Sequence, residues 1–275
     1  MSAKGPAMRR RALVIFLTCV SWGGAAFAEE ISVPVDYQGH EIQLSARFEK
    51  PPGRGPSPVV ILLHNCAGVD GSPSLAGWAQ LMWSQGYATL RLDSFTARGY
   101  RNVCGDGGQV KLGERAQDVL AAAYLIAARP DVRPDRIAVF GLSHGGGTAI
   151  YLARNHEELR PWRERLTTRH GKLVASVVLY GGCGPNTGSP VIIPLLALLG
   201  GRDDWAPAAP CVALANAQAN GIMQFQLYPE AYHAFDAASG IERPHSAYGH
   251  MLAYDPAATA DARKRVSEFL YRYLH

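Results

Sequence analysis

Residues 137–153 read IAVFGLSHGGGTAIYLA and contain the pattern Gly-x-Ser-x-Gly centred on Ser143. The apolar run Ile137–Phe140 predicts a buried strand before the pattern, and the run Thr148–Ala153 predicts a helix after it. Between a strand and a helix, this pattern forms a sharp turn that exposes the serine hydroxyl at the carboxyl edge of a sheet. We expect the glycines to be required because neighbouring backbone approaches the turn closely, and we expect the serine backbone to be strained.

Strand-like and helix-like segments alternate along the chain from residue 59 onward. The predicted strands are Ile31–Tyr37, Glu41–Phe48, Val59–Leu63, Tyr87–Leu92, Ile137–Phe140, Val174–Tyr180, Val191–Leu199 and Ile222–Leu227, and the predicted helices include Gln109–Ala128, Ala208–Asn220 and Asp261–Leu274. Such alternation favours an α/β fold with a mostly parallel central sheet and helices on both faces. Because the chain has no internal repeat and no long linker, we expect a single domain over residues 29–275.

The first 28 residues are predicted to be a secretory signal peptide. Lys4 and the three arginines at 9–11 form a basic stretch, the apolar run Ala12–Val20 follows it, and Ala26-Phe27-Ala28 forms a small-residue cleavage site. An uncleaved membrane anchor is the alternative, but the strongly apolar run is only about half of the roughly 20 residues that a span needs. We therefore expect cleavage after Ala28, export to the periplasm or beyond, and no stable membrane insertion after cleavage.

The basic character of the chain comes from this leader. The full sequence carries a formal charge of +4, and residues 1–28 contain four basic and no acidic residues. The remaining chain is therefore formally neutral, and it shows no basic stripe of the kind that contacts a phosphate backbone. We expect no nucleic-acid partner.

Four cysteines follow the leader, namely Cys66, Cys104, Cys183 and Cys211. An even number of cysteines in an exported chain predicts two disulfides, and four cysteines allow three pairings. Because the sequence has no Cys-x-x-Cys spacing, we expect no structural zinc site.

A serine hydroxyl is a weak nucleophile, so it needs a histidine base and a carboxylate that orients the base. After a turn of this type, the acid and the histidine follow the serine in that order along the chain. Asp203 lies in the loop after the predicted strand Val191–Leu199, and His233 follows the last predicted strand. The sequence therefore predicts Ser143, Asp203 and His233 as catalytic residues, with Asp204 as the alternative acid.

Four other histidines compete with His233 for the role of base. His144 is adjacent to the serine, where its side chain should diverge from the hydroxyl. His245 and His250 lie in a later Gly- and Pro-containing stretch and are predicted to be surface residues. His64 ends a predicted core strand, where we expect a hydrogen-bonded structural histidine.

An oxyanion hole needs two N–H donors aimed at the oxygen on which charge develops. One donor is expected from the residue after the nucleophile, His144. The other is expected from the loop after the predicted strand Val59–Leu63, where Cys66 is the first choice and Asn65 the second.

Several stretches, taken together, resemble the dienelactone hydrolase family. They are HNCAGV at 64–69, RLDSFTARG at 91–99, GLSHGG at 141–146, LLGGRDDWAPAAPC at 198–211 and YHAF at 232–235. The resemblance implies the α/β-hydrolase fold, a compact site without a large lid domain, and hydrolysis of small esters or lactones. By position it assigns the nucleophile, the acid and the base to the three residues predicted above, and the oxyanion N–H groups to Cys66 and His144.

Two departures from the family pattern affect the expected substrate. The founding members use cysteine at the position of Ser143 and glutamate at the position of Asn65, where the glutamate regulates the charge of that cysteine. A serine activated by histidine does not need the glutamate, so the two differences agree with each other and weaken the case for a dienelactone substrate. Asn65 and Arg98 are candidates for substrate binding; an ordinary surface role explains Arg98 nearly as well.

The expected fold also suggests how the cysteines pair. In this fold the strands ending near Leu63 and Leu92 are neighbours, so Cys66 and Cys104 leave adjacent strands at the same edge. Cys183 and Cys211 likewise follow two neighbouring strands. We therefore predict the disulfides Cys66–Cys104 and Cys183–Cys211; a catalytic thiol at Cys66 is the minor alternative.

The favoured interpretation is an acyl-transfer enzyme that hydrolyses a small ester or lactone without a metal or organic cofactor. A second interpretation is a non-catalytic exported protein that binds a ligand on the same scaffold. A third keeps the enzyme but assigns it a peptide or a polymer ester. The sequence predicts neither the natural substrate nor the oligomeric state.

Overall fold

A computed structural model describes residues 27–53, 55–184, 189–218, 221–238 and 244–275. The predicted signal peptide lies outside these residues, apart from Phe27 and Ala28, which begin the first strand. Among the described helices, none is both long enough and apolar enough to cross a membrane.

Eight strands form the central sheet of the described residues: β1 (Phe27–Tyr37), β2 (His40–Lys50), β3 (Ser57–Leu63), β4 (Ala88–Asp93), β5 (Val132–Leu142), β6 (Leu173–Leu179), β7 (Leu195–Gly200) and β8 (Met223–Tyr228). Their order across the sheet is β1-β2-β4-β3-β5-β6-β7-β8. The pairs β1–β2 and β2–β4 are antiparallel, whereas all other neighbours are parallel. The carboxyl ends of strands β3 to β8 therefore meet at one edge, where ligands bind in open α/β sheets.

The described residues also form six α-helices and a short hairpin. The helices are α1 (Pro73–Ser84), α2 (Leu112–Ala127), α3 (His144–Ala153), α4 (Arg160–Thr167), α5 (Ala209–Asn216) and α6 (Pro256–Leu274), and the hairpin consists of β9 (His245–Ala247) and β10 (His250–Leu252). Apolar residues of α2, α3 and α5 pack on one face of the sheet, and those of α1 and α6 pack on the other. The predicted fold class is confirmed.

Strand β3 shows why its sequence is continuously apolar. Ile61 and Leu63 belong to the core on one face of the sheet, and Val60 and Leu62 belong to the core on the other. Because successive side chains of a strand point to opposite faces, a strand covered on both faces needs an apolar residue at every position.

Helix α6 begins before its predicted start at Asp261. The Asp255 carboxylate accepts hydrogen bonds from the N–H groups of Ala257 and Ala258, and Pro256 occupies the first helical position. Both residues are favoured at a helix N-terminus, aspartate as a cap and proline because its fixed φ suits the first turn. The true start therefore carries a local sequence signal that apolar periodicity alone misses.

Three elements were absent from the sequence prediction, namely α1, α4 and the hairpin β9–β10. Strand β7 is also shorter than predicted, because it begins at Leu195 instead of Val191. Pro194 directly precedes it, and a proline has no N–H to donate to a neighbouring strand.

The structure contains disulfides at the two pairings suggested by the expected fold. Cys66–Cys104 joins the loops that follow β3 and β4, and Cys183–Cys211 joins the loop after β6 to α5. The first crosslink thus braces the loop that is expected to supply an oxyanion donor, and the second lies deep in the core.

Replacing both Cys183 and Cys211 by alanine should lower the free energy of unfolding by about 2–4 kcal/mol, because a crosslink restricts the unfolded chain. The two residues are separated by 28 positions. Urea unfolding followed by circular dichroism measures the change. Reduced wild-type protein should lose at least as much, since both crosslinks open; an unchanged unfolding free energy in the variant would contradict the prediction.

Candidate active site

The turn between β5 and α3 brings Ser143 to the carboxyl edge of the sheet. Ser143 has a φ of 51°, in the left-handed region that residues with a side chain rarely occupy. Its N–H donates to the carbonyl of Leu179, and its carbonyl accepts from the N–H of Gly147. The strained backbone expected from the Gly-x-Ser-x-Gly pattern is therefore present.

Close backbone contact explains the second glycine of the Gly-x-Ser-x-Gly pattern, Gly145. A Cβ on Gly145 would lie 2.5 Å from the carbonyl oxygen of Leu63 and 2.6 Å from that of His64. Both oxygens belong to backbone at the end of β3 and cannot swing away as a flexible side chain could. Only glycine fits at this position.

His233 connects Ser143 to Asp203. Nε2 of His233 accepts a hydrogen bond from Oγ of Ser143 at 2.8 Å, and Nδ1–H donates to Oδ2 of Asp203 at 2.8 Å. The other carboxylate oxygen of Asp203 accepts from the N–H groups of Trp205 and Ala206, at 3.0 and 2.7 Å. The geometry thus favours the His233 tautomer in which Nε2 is free to take a proton from the serine.

Buried aromatic and acidic groups support the imidazole. Tyr180 meets the His233 ring edge-on, with the ring centroids 4.9 Å apart. The Tyr180 hydroxyl and the Trp78 indole N–H each donate to the Asp236 carboxylate at 2.6 Å. Burial raises the pKa of Asp236, and it raises that of Tyr180 well above its ordinary value. These hydrogen bonds fix the Tyr180 ring against His233.

The neighbouring carboxylate, Asp204, has different partners. Its Oδ1 accepts from the N–H of Met251 at 3.2 Å and lies 3.6 Å from Nδ1 of His250. The structure therefore brings Asp203, and not Asp204, against His233.

The hairpin β9–β10 packs beside the site, a placement that sequence reasoning missed. His250 stacks on the Trp205 ring at 4.8 Å, and Trp205 in turn lies 5.1 Å from the His233 ring. The hydroxyl of Tyr248, at the tip of the hairpin, accepts from the side-chain amide of Asn102 at 3.1 Å. His250 was predicted to be a surface residue, and no short-range pattern relates it to Trp205.

Two backbone N–H groups lie on the segments expected to form the oxyanion hole. His144 is the first residue of α3, where an amide has no acceptor within its own helix. In the loop after β3, the N–H of Asn65 donates to Ser72 and the N–H of Ala67 donates to the Asn65 side chain. Among the described residues no group accepts from the N–H of Cys66. This arrangement favours Cys66 over Asn65 as a donor.

Arg98 does not fit the predicted role in substrate binding. Its guanidinium forms two hydrogen bonds to the Asp118 carboxylate, at 2.8 and 2.9 Å, and a third to the Ser94 carbonyl at 2.7 Å. The side chain is only 2% exposed. The expectation was wrong because a buried carboxylate on α2 draws the arginine inward. For Asn65, substrate contact stays a prediction. Its side-chain oxygen accepts from the N–H of Ala67 within the same turn.

The ring nitrogens of His144 are both engaged away from a catalytic role. Nδ1 accepts from the guanidinium of Arg115 at 2.8 Å, and Nε2–H donates to the Gly107 carbonyl at 3.1 Å. Burial, together with the nearby Arg115 charge, lowers the pKa of His144 to about 4. This imidazole is neutral at pH 7 and is not the base.

His64 is fully buried, and its Nδ1–H donates to the Asn65 carbonyl at 2.7 Å. Burial lowers the pKa of His64 well below its usual value. It thus has the hydrogen-bonded environment expected of a structural histidine. No group of three His, Cys, Asp or Glu residues within the described ranges is arranged to hold a metal ion.

A model of the dienelactone hydrolase family matches residues 44–274. Among curated proteins, YtaP of Bacillus subtilis, a hydrolase by name, is 28% identical over 46% of this chain and 48% of that protein. The chain spans about half the length of the curated relatives it matches.

Solved structures share the fold over nearly the whole chain. The dienelactone hydrolase from Anabaena variabilis has a TM-score of 0.64 and 21% identity, covering 90% of this chain and 99% of that one. A dienelactone hydrolase-like promiscuous phosphotriesterase from metagenomic libraries has a TM-score of 0.67 and 20% identity, covering 92% and 100%. These similarities establish the α/β-hydrolase fold.

Replacing Gly145 by alanine should unfold the turn or shift it, because the new methyl group would overlap the carbonyl oxygens of Leu63 and His64. We expect a loss of at least about 2 kcal/mol in the free energy of unfolding. Gly147→Ala is the matched control in the same helix, since its methyl group would meet only ordinary contacts starting at 3.4 Å. Thermal unfolding of both variants measures the difference; equal stability would show that the close contact is not limiting.

Proposed function

Because the chain belongs to the dienelactone hydrolase family, we propose that it is a serine hydrolase that cleaves a small carboxylic ester or lactone through an acyl-enzyme. The observation that carries the proposal is the pair of 2.8 Å contacts joining His233 to Ser143 and to Asp203. A base and an orienting carboxylate in this geometry activate a serine hydroxyl. The name of the Anabaena protein, a dienelactone hydrolase, agrees with a lactone or ester substrate.

In the proposed acylation step, Oγ of Ser143 bonds to the substrate carbonyl carbon while its proton passes to Nε2 of His233. The negative charge of Asp203 stabilises the imidazolium that results. Collapse of the tetrahedral intermediate breaks the bond between the carbonyl carbon and the leaving oxygen. His233 gives its proton to that oxygen, so an alcohol forms, which stays attached to the acyl group if the substrate is a lactone.

Deacylation repeats these steps with water. Water bonds to the acyl carbon and gives one proton to His233, and the bond from that carbon to Oγ of Ser143 then breaks. His233 returns the proton to the serine oxygen, and the product leaves as a carboxylic acid. In both steps we propose that the N–H groups of His144 and Cys66 donate to the carbonyl oxygen as it becomes negative.

A small substrate is favoured by the surroundings of His233. Trp205 lies over one side of the imidazole, and His250 on the hairpin packs behind Trp205. We infer that this aromatic layer limits the space for substrate on that side of His233. A peptide or a polymer ester would need a more open approach, so both are weaker candidates.

We infer that the enzyme works in an oxidising compartment. The two disulfides support this inference, because proteins of a reducing cytosol rarely contain structural disulfides. Residues 1–28, interpreted as a cleaved signal peptide, would direct the chain there. Cleavage after Ala28 would leave β1 intact from Glu29 to Tyr37, paired with β2.

A fluorophosphonate probe should label the folded protein, and Ser143→Ala should abolish the labelling because it removes the nucleophile. The same variant should lose hydrolysis of short p-nitrophenyl esters by about 10³-fold or more. Lactones, aminoacyl substrates and a polymer ester tested alongside would identify the substrate class. Absence of labelling in folded wild-type protein would favour a binding protein without catalytic activity.

Asp203→Asn should lower kcat by up to about 10⁴-fold, because an amide does not hold the His233 tautomer that accepts the serine proton. Asp204→Asn is the matched control one residue away, and we expect it to change kcat by less than about threefold. Steady-state kinetics on a short ester measures both. A larger loss in Asp204→Asn than in Asp203→Asn would reverse the assignment of the acid.

A further inference from the structure

Arg115 on α2 is a buried cation that the proposed mechanism does not use. Its side chain is fully buried, yet among the described residues no carboxylate lies within ion-pair distance of it, and Asp118 and Asp93 attract its charge only from farther away. The nearby Asp118 has both its oxygens bonded to Arg98. Burying a cation without a carboxylate partner is costly, so this position calls for an explanation.

The guanidinium bonds instead to both segments of the proposed oxyanion hole. One terminal nitrogen donates to Nδ1 of His144 at 2.8 Å, and the other donates to the carbonyl oxygen of His64 at 3.2 Å. His144 carries the first proposed donor in its own backbone. His64 lies two residues before Cys66, which carries the second.

Neighbouring groups fix the orientation of this link. The Arg115 guanidinium lies over the Phe95 ring, with its carbon 4.9 Å from the ring centroid, and the His64 ring meets the same phenyl group edge-on at 4.4 Å. On the far side of the His144 ring, Nε2–H donates to the Gly107 carbonyl. The planar guanidinium can thus bond two acceptors in fixed directions, which a flexible ammonium group does poorly.

We propose that Arg115 is a positioning residue. It holds the backbone N–H groups of His144 and Cys66 at a fixed distance and orientation relative to one another, so that both reach the same substrate oxygen. The proposal rests on the proposed function, since it assigns these amides to the oxyanion hole. Arg115 acts on one segment through the His144 side chain and on the other through the His64 carbonyl. Its loss should therefore weaken transition-state stabilisation and leave ground-state binding unchanged.

Arg115→Met tests the proposal because methionine fills much of the same volume and cannot donate. On a short p-nitrophenyl ester we expect kcat to fall by about 10- to 100-fold with KM changed by less than about twofold. Comparison with the matching thionoester reports on the hole itself, because sulfur is a poor acceptor for N–H donors. Wild-type protein should strongly prefer the oxygen ester, and this preference should shrink by about tenfold in the variant.

Arg163→Met is the matched control for stability. Arg163 is a partly buried arginine that donates to the carbonyls of Leu152 and Arg154, at the opposite end of α3. Its loss should lower the unfolding temperature without changing kcat or the preference for the oxygen ester. Arg115→Lys should recover only part of the lost kcat, since one ammonium group replaces a two-armed donor.

His144→Leu keeps the backbone N–H of residue 144 and removes the ring nitrogen that accepts from Arg115. It therefore tests the hydrogen bond between the two side chains even if Arg115→Met does not fold. It should lower kcat and the oxygen-ester preference in the same direction. If both single variants fold, kcat of the double variant should fall by a smaller factor than the product of the two single-variant factors, because both substitutions break the same hydrogen bond. A folded Arg115→Met or His144→Leu protein with wild-type kcat and oxygen-ester preference would overturn the proposal. Failure of the fluorophosphonate probe to label folded wild-type protein would instead overturn the proposed function.

Discussion

The rest of the site depends on a backbone contact in which the Ser143 turn lies directly on the end of β3. No side chain fits between Gly145 and the carbonyl oxygens of Leu63 and His64. This contact sets the distance between the turn and the loop after β3, and the strained backbone of Ser143 lies two residues before it. Because backbone atoms cannot adapt as side chains do, the separation of the two segments is fixed by the sheet itself.

Buried polar groups support the proposed catalytic side chains from within the protein. Behind His233, the Asp236 carboxyl group fixes Tyr180. Behind the segments that are proposed to form the oxyanion hole, Arg115 links His64 to His144. Burying such groups lowers stability compared with a well-packed apolar core. In return, hydrogen bonds have a direction, and they restrict the orientation of rings and loops more closely than contacts between methyl groups do.

Sequence reasoning succeeded where the position of a residue follows from local pattern and chain order. The Gly-x-Ser-x-Gly pattern between a strand and a helix predicted the turn. The order of elements placed the acid in the loop after β7, where Asp203 is the first carboxylate. It failed where the role depends on a partner distant in sequence. Arg98 was predicted to bind substrate or to lie on the surface, because its partner Asp118 lies on the following helix and no local pattern connects the two. Nothing in the sequence around His250 indicated that it stacks on Trp205, 45 positions earlier, because neither residue lies in a local pattern that predicts such a contact.

The crosslink between Cys66 and Cys104 has a bearing on when the protein becomes active. Cys66 belongs to the loop that is proposed to contact the substrate oxygen, and the bond to Cys104 ties that loop to the one after the adjacent strand. A newly made chain in a reducing cytosol would lack this tie. On the proposed assignment, such a chain would be a latent precursor, and oxidation after export would complete its maturation, which would spare the esters of the producing cell.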